Sequence, residues 1–224
     1  MDVPTLRRVL RILLERYRPT NWAEGLDPLE ALMSIIVSQN STDLVTERVM
    51  RDLAAKGATT AKRIASMPPV QLIRILRPAG LARQKVPRIQ RIARFLVEKC
   101  GGTMDVFLNA STWQARETLL DLPGVGPKTA DVWLSLVASR DTMPMDTHIA
   151  RLVRRWRLSR ATDYRGINED LRRYVPPRVR QRGHLALISF GREICQARRP
   201  RCEVCPVYEL CDAKEKRPRA ASKG

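Results

Sequence analysis

Four cysteines near the end of the 224-residue chain, Cys195, Cys202, Cys205 and Cys211, are spaced C-x6-C-x2-C-x5-C. Thiolates this close together converge on one centre when the loops between them wrap around it. The Cys202–Cys205 step supplies two ligands from a single turn, with Pro200 and Pro206 stiffening the path. A structural zinc is one reading, but zinc sites favour two C-x2-C knuckles or mixed Cys/His sets. One knuckle pair and no nearby histidine fit a [4Fe-4S] cluster better. The fifth thiol, Cys100, is remote and reads as a packed side chain. Between the first two cysteines, Arg198, Arg199 and Arg201 make the loop a cationic surface suited to phosphate, although each is also readable as a solvated loop residue.

A second constellation is Leu122-Pro123-Gly124-Val125-Gly126-Pro127-Lys128-Thr129-Ala130. The two glycines allow close backbone approach, and the N–H groups of Gly124, Val125 and Gly126 can face an anion. Pro127 suits the first position of a helix, whose positive end adds to the attraction for a DNA phosphate. Lys128 falls in the first turn, where the helix end and local desolvation favour the neutral amine. A neutral lysine can attack a sugar C1′ and form a Schiff base; the alternative is a further phosphate-binding lysine. Eighteen residues on, in Met145-Asp146-Thr147-His148, Asp146 offers a carboxylate partner, while Asp-Thr before a helix also reads as a cap. His148 reads as a helix-start residue and His184 as packing.

These groups are positioned by a chain that reads as helix nearly throughout. Leu6, Val9, Leu10, Leu13, Leu14 and Tyr17 share one helical face. Asp27-Pro28-Leu29-Glu30 starts a helix burying Leu29, Leu32, Met33, Ile36 and Val37. Ser41 or Thr42 opens another, with Val45, Val49 and Leu53 inward. Helices follow at 60–67 and 69–77, then one through Ile89, Ile92, Ala93 and Leu96 that stops at Gly101-Gly102, then one capped by Ser111 or Thr112 and ending at Leu120. The second half predicts helices at 127–138, 147–157, 166–174 and 181–194. No segment alternates convincingly as a strand, so the fold class is all-α.

Composition sets the partner. Lys and Arg number 41 against 23 Asp and Glu, a net charge of +18 with a pI of about 10.8. Such a field suits a polyanion, whose counterions Lys and Arg displace; a merely soluble surface is the alternative. With 44% hydrophobic residues the chain can bury a core. No apolar run is long enough to span a bilayer and no signal peptide opens the chain, so a reducing, cytoplasmic setting is expected, at the nucleoid. The arginines Arg151, Arg154, Arg155 and Arg157 are expected on the DNA backbone, and 214–224 is expected to be a disordered basic tail.

Leu122–Ala130, the Asp146-Thr147-His148 triplet, Gly191-Arg192 before Cys195, and the four-cysteine loop together resemble the endonuclease III family, in order from about residue 27 to 213. The resemblance implies a helix-hairpin-helix DNA glycosylase fold: a six-helix barrel domain at 23–138, and an iron–sulfur cluster domain built from 1–22 and 139–213, with the DNA cleft between them. It implies a bifunctional glycosylase/AP lyase of base excision repair, acting as a monomer on double-stranded DNA that carries a damaged base, an oxidised pyrimidine, or an abasic site. By the same resemblance Lys128 and Asp146 are the catalytic pair. Ser38-Gln39-Asn40-Ser41-Thr42-Asp43 matches the segment that fills the gap left by a flipped base, and Gly80-Leu81 the wedge loop. Gln39, Asn40, Leu81, Thr129 and His148 are therefore expected at DNA, with Gly124, Val125, Gly126 and the loop arginines. Asn40 stands where the family usually has glutamine, which bears on opposite-base preference, and Pro127 replaces a basic residue. Competing readings are a monofunctional T/G or A/G mismatch glycosylase, whose relatives carry Tyr or Ser in place of Lys128, and a cluster-bearing DNA-binding protein without catalysis.

Overall fold

The computed structural model describes residues 1–218; residues 219–224, the last part of the expected tail, lie outside the described residues. Every regular element among the described residues is helical. The helices are α1 (Val3–Tyr17), α2 (Pro28–Ser38), α3 (Asp43–Ala55), α4 (Ala61–Ser66), α5 (Pro69–Leu76), α6 (Ala82–Lys99), α7 (Asp105–Asn109), α8 (Thr112–Leu120), α9 (Pro127–Leu136), α10 (Thr147–Arg155), α11 (Tyr164–Tyr174) and α12 (Arg180–Glu193). Their starts follow local chemistry. The side chains of Asp2, Asp27, Thr42, Thr60, Ser111, Asp146 and Asp163 each accept a first-turn N–H, which satisfies donors that a helix start leaves orphaned. At Ser111 the bond is reciprocal, with the Gln114 side chain returning to the cap's N–H.

The chain divides into two compact units. One runs from Ala23 to Arg140 and holds α2–α9. Its middle is α2 and α9, both apolar on nearly every face. In α2, Leu29, Ala31, Leu32, Met33, Ile35, Ile36 and Val37 are buried, and in α9 every residue from Thr129 to Leu136 is. Such all-round burial marks a helix enclosed by others. The two touch directly, and the Trp133 indole N–H donates to the Pro28 carbonyl at 2.9 Å. Phe107 meets the Trp133 ring edge-on at 6.0 Å. Phe107 lies on α7, which the periodicity does not predict; five residues with one buried side chain carry too little pattern.

The other unit joins Met1–Trp22 to the described residues from Asp141 onward. Here α1 packs on α11 and α12, and α10 on α11 and α12. Leu6, Val9, Leu10 and Leu13 enter a core with Ile149, Leu152, Trp156 and Phe190, the last two stacked at 5.9 Å. His184 is buried there with Nδ1 3.0 Å from the Pro144 carbonyl oxygen, a packing role. The start of the expected tail is ordered: Lys214-Glu215 form a turn, Lys216 Nζ sits 3.9 Å from the Tyr208 ring centroid, and the Arg217 N–H faces Cys202 Sγ at 3.5 Å. Cation–π attraction and contact with the cysteine loop hold these residues where their polarity alone suggests disorder.

Buried polar side chains close gaps between segments. Gln90 on α6 donates from Nε2 to the Ile64 and Met67 carbonyls at 3.3 and 2.8 Å, tying α6 to the end of α4. Replacing it with an apolar residue leaves two buried acceptors without partners, at about 1–3 kcal/mol each. Gln90→Leu is expected to lower the urea midpoint, by about 2–4 kcal/mol in unfolding free energy, with an unchanged denaturant slope; an unshifted midpoint would contradict this.

Candidate functional site

In the Ala23–Arg140 unit the site is built around the open end of α9. Leu122 to Gly126 form the hairpin turn. Gly124 has φ +86°, the left-handed region that glycine tolerates, and the Val125 N–H donates back to the Leu122 carbonyl at 3.0 Å. A Cβ at Gly124 would meet Arg88 Cδ at 2.5 Å, so a side chain here would also have to displace the Arg88 side chain. Gly126 is the N-cap of α9 with no capping side chain, and Pro127 is its first residue. First-turn N–H groups thus stay free for an outside acceptor, the geometry that binds phosphates. The expectation that the Val125 N–H faces an anion is corrected here: the N–H is spent on the Leu122 carbonyl and the side chain is buried.

Lys128 follows in the first turn and is exposed. The expectation that the fold itself strips water from this amine is corrected here: α9 places the lysine at the surface, because burial begins one residue later at Thr129. Thr129 is buried, and its hydroxyl accepts from Gln39 Nε2 at 3.4 Å. Gln39 caps the end of α2, and Asn40 beside it is exposed with φ 56°. Leu81 also has positive φ, 52°, and stays 47% exposed at the start of α6. A Cβ at Gly80 would sit 3.9 Å from the Asn40 carbonyl oxygen. Hairpin, lysine, Gln39-Asn40 and Gly80-Leu81 thus belong to one unit, and the last two segments touch.

In the other unit Asp146 is the N-cap of α10. Its Oδ1 accepts the Ile149 N–H at 2.8 Å, and the residue is buried. His148 is half-buried, with Nδ1 3.0 Å from an Arg151 nitrogen. Burial pulls its imidazole below the ordinary histidine value, against the Asp146 carboxylate. Gly191 explains itself at this point: a Cβ there would lie 2.8 Å from the His148 Cβ. The close approach lets α10 reach α12 and the loop beyond it.

Arg151 and Arg155 do not face outward as expected. Arg151 donates to the carbonyls of Cys195 and Gly191 at 2.9 and 2.8 Å. Arg155 is buried and donates to the Cys195 carbonyl and sulfur (3.2 and 3.0 Å), the Gln196 carbonyl (2.9 Å) and the Ala197 carbonyl (3.0 Å). Their spacing of four puts both on one helix face, and that face lies against the cysteine loop. Arg154 is exposed, as are Arg198, Arg199 and Arg201. Cysteine spacing pointed to the loop; nothing in the spacing pointed to the arginines that hold it.

Cys195, Cys202, Cys205 and Cys211 line one pocket, whose wall includes Trp156 and Phe190. No disulfide joins them. A chamber rimmed by sulfur and walled by aromatic carbon fits a polynuclear cluster. Burial pushes the free thiol of Cys205 up to about 11 and raises that of Cys195, so uncompensated thiolates are disfavoured and a cationic iron centre suits the donor set.

The pattern of HhH-GPD superfamily base excision DNA repair proteins matches residues 33–177, and that of the iron–sulfur binding domain of endonuclease III matches 195–211, from the first to the last of the four cysteines. Endonuclease III of Thermotoga maritima is 31% identical over 92% of this chain and 92% of its own, and that of Bacillus subtilis 32% over 85% and 84%. The chain belongs to the endonuclease III family. It is accordingly a base excision repair DNA glycosylase with a [4Fe-4S] cluster. The solved structure of a trapped endonuclease III–DNA covalent intermediate superposes with a TM-score of 0.82 at 27% identity, covering 95% of this chain and 96% of that one. A non-covalent endonuclease III–DNA complex gives 0.83 at the same identity. This endonuclease III-family protein binds DNA. A thermostable thymine-DNA glycosylase, at 21% identity and TM-score 0.77, shares the fold. No helix among the described residues is long and apolar enough to cross a membrane.

Arg155→Met removes every hydrogen bond this side chain makes to the loop and leaves buried acceptors behind. The variant is expected to lose the broad visible thiolate-to-iron absorbance several-fold faster under a chelator, with unchanged far-ultraviolet dichroism. Equal bleaching rates would contradict the clamp.

Proposed function

We propose that this protein is a bifunctional glycosylase and AP lyase that removes oxidised pyrimidines from duplex DNA through Lys128, acting as a monomer. The observation that carries the reading is Lys128 itself: an exposed amine in the first turn of an otherwise buried helix, directly behind a hairpin whose N–H groups suit a phosphate. A DNA backbone docked at that hairpin brings a deoxyribose to the amine and supplies the water exclusion the protein surface lacks. The solved neighbour whose own protein was trapped covalently on DNA supports an amine nucleophile in this family.

The proposed chemistry begins with the damaged nucleotide out of the stack, which costs least for a weakly paired base. Leu81 and Gln39-Asn40 fill the vacated space. The Lys128 lone pair forms a bond to C1′ as the bond to the base breaks, and the base leaves with that electron pair and takes up a proton. The sugar ring opens to the imine, loss of a C2′ proton expels the 3′ phosphate, and water frees the lysine. Asp146 is proposed to stabilise positive charge on the sugar and to assist the amine, through the carboxylate oxygen not engaged with Ile149. Cys195, Cys202, Cys205 and Cys211 are the proposed ligands of the cluster, and Arg198, Arg199 and Arg201 on their loop are proposed phosphate contacts.

Two variants test this. Lys128→Gln is expected to nick duplexes carrying thymine glycol or dihydrouracil at least roughly a thousandfold more slowly. Asp146→Asn keeps a capping side chain, so its stability is expected within about 1 kcal/mol of the parent while base release falls roughly a hundredfold. Full nicking by Lys128→Gln would sink the lyase reading. Release of mismatched thymine or adenine without nicking would favour a monofunctional enzyme instead.

A further inference from the structure

One buried lysine is left over by this chemistry. Lys85, in the first turns of α6, is only 1% exposed. Its ammonium donates to the Val37 carbonyl at 2.7 Å and to the Ala79 carbonyl at 2.9 Å. Val37 lies in the last turn of α2, whose carbonyls have no partner within the helix, and a cation there also meets the negative helix end. Ala79 closes the turn before Gly80-Leu81. Burying an ammonium is costly and is tolerated where the charge is well engaged; an apolar residue of similar length would fill the same space without that cost. The lysine is therefore placed for what it joins.

What it joins is specific. Two residues beyond Val37 begins Gln39-Asn40; two beyond Ala79 is Leu81. Both segments turn through left-handed backbone at a residue other than glycine, Asn40 at φ 56° and Leu81 at 52°. For leucine that conformation costs about 1–2 kcal/mol and persists only where the surroundings impose it, whereas asparagine adopts it readily. The same stretch extends through Gln39 to Thr129, the neighbour of Lys128 on α9.

We infer that Lys85 is a positioning residue that clamps the gap-filling segment and the wedge segment at one fixed spacing, so that both enter the duplex together when a base is flipped. The inference rests on the roles proposed above for Leu81 and Gln39-Asn40. It separates Lys85 from the covalent chemistry: lesions that must be extracted from a duplex depend on it, and substrates with no stack to enter do not.

The experiment compares two DNAs under single-turnover conditions, a duplex with dihydrouracil opposite guanine and a single-stranded oligonucleotide with one abasic site. Lys85→Met is expected to slow the duplex reaction at least tenfold and the single-stranded cleavage less than twofold. Combined with Leu81→Ala it is expected to add less than a further twofold on the duplex, because both act through the same insertion. If the Met variant does not fold, Lys85→Arg, which keeps the charge with a wider head group, is expected to show the same split at smaller size. Equal losses on the two DNAs, no loss on either, or multiplicative losses in the double variant overturn the inference. A parent protein inactive on both DNAs overturns the lysine-lyase reading instead, a distinguishable result.

Discussion

A helix enclosed on its sides and open at its first turn is the constraint on which the Ala23–Arg140 unit depends. From Thr129 to Leu136 α9 has no solvent-facing residue, and the Trp133 bond to Pro28 locks it to α2. Its axis is fixed by packing on all sides. Only Gly126, Pro127 and Lys128 emerge. The N–H groups of a helix start, which Asp, Ser or Thr side chains satisfy at seven other helices, have no capping side chain here and suit an outside anion. The lysine is thereby set at the open end of a fixed helix although it is itself uncovered.

The other unit uses the opposite device. Asp146 caps α10 from within, and the same helix sends Arg151 and Arg155 from its later turns into the cysteine loop. One short helix thus carries a carboxylate at its start and supports the iron–sulfur loop farther along. Gly191 makes this possible, since any Cβ would push α12 off His148. The exposed arginines of the loop are then presented by a frame of cysteines and buried guanidinium that packs on the core around Trp156 and Phe190.

Much of this was legible in the residues. The cysteine spacing, the Gly-x-Gly hairpin with Pro127 and Lys128, and Asp146 as a cap are local signals whose meaning needs few distant contacts. Side chains that act over long sequence separations were not legible. Arg155 reads from sequence as one more member of a DNA-binding cluster; only the approach of Cys195, forty residues away, turns it inward. Lys85 looks like an ordinary basic residue on a helix until α2 and the turn at Ala79 close over it. Lys128 shows the reverse error. A helix start suggests partial burial, yet how far a side chain emerges is decided by neighbouring elements, and here they leave it in water.

The central claim is that Lys128, and no other amine in a chain with 41 basic residues, bonds to the deoxyribose. Peptide mapping by mass spectrometry of the complex trapped with borodeuteride on lesion-containing DNA measures this directly. The account predicts a single deuterated sugar adduct on the peptide that contains Lys128. An adduct on another lysine or on the N-terminal amine, or DNA processed in full with no adduct, would contradict it.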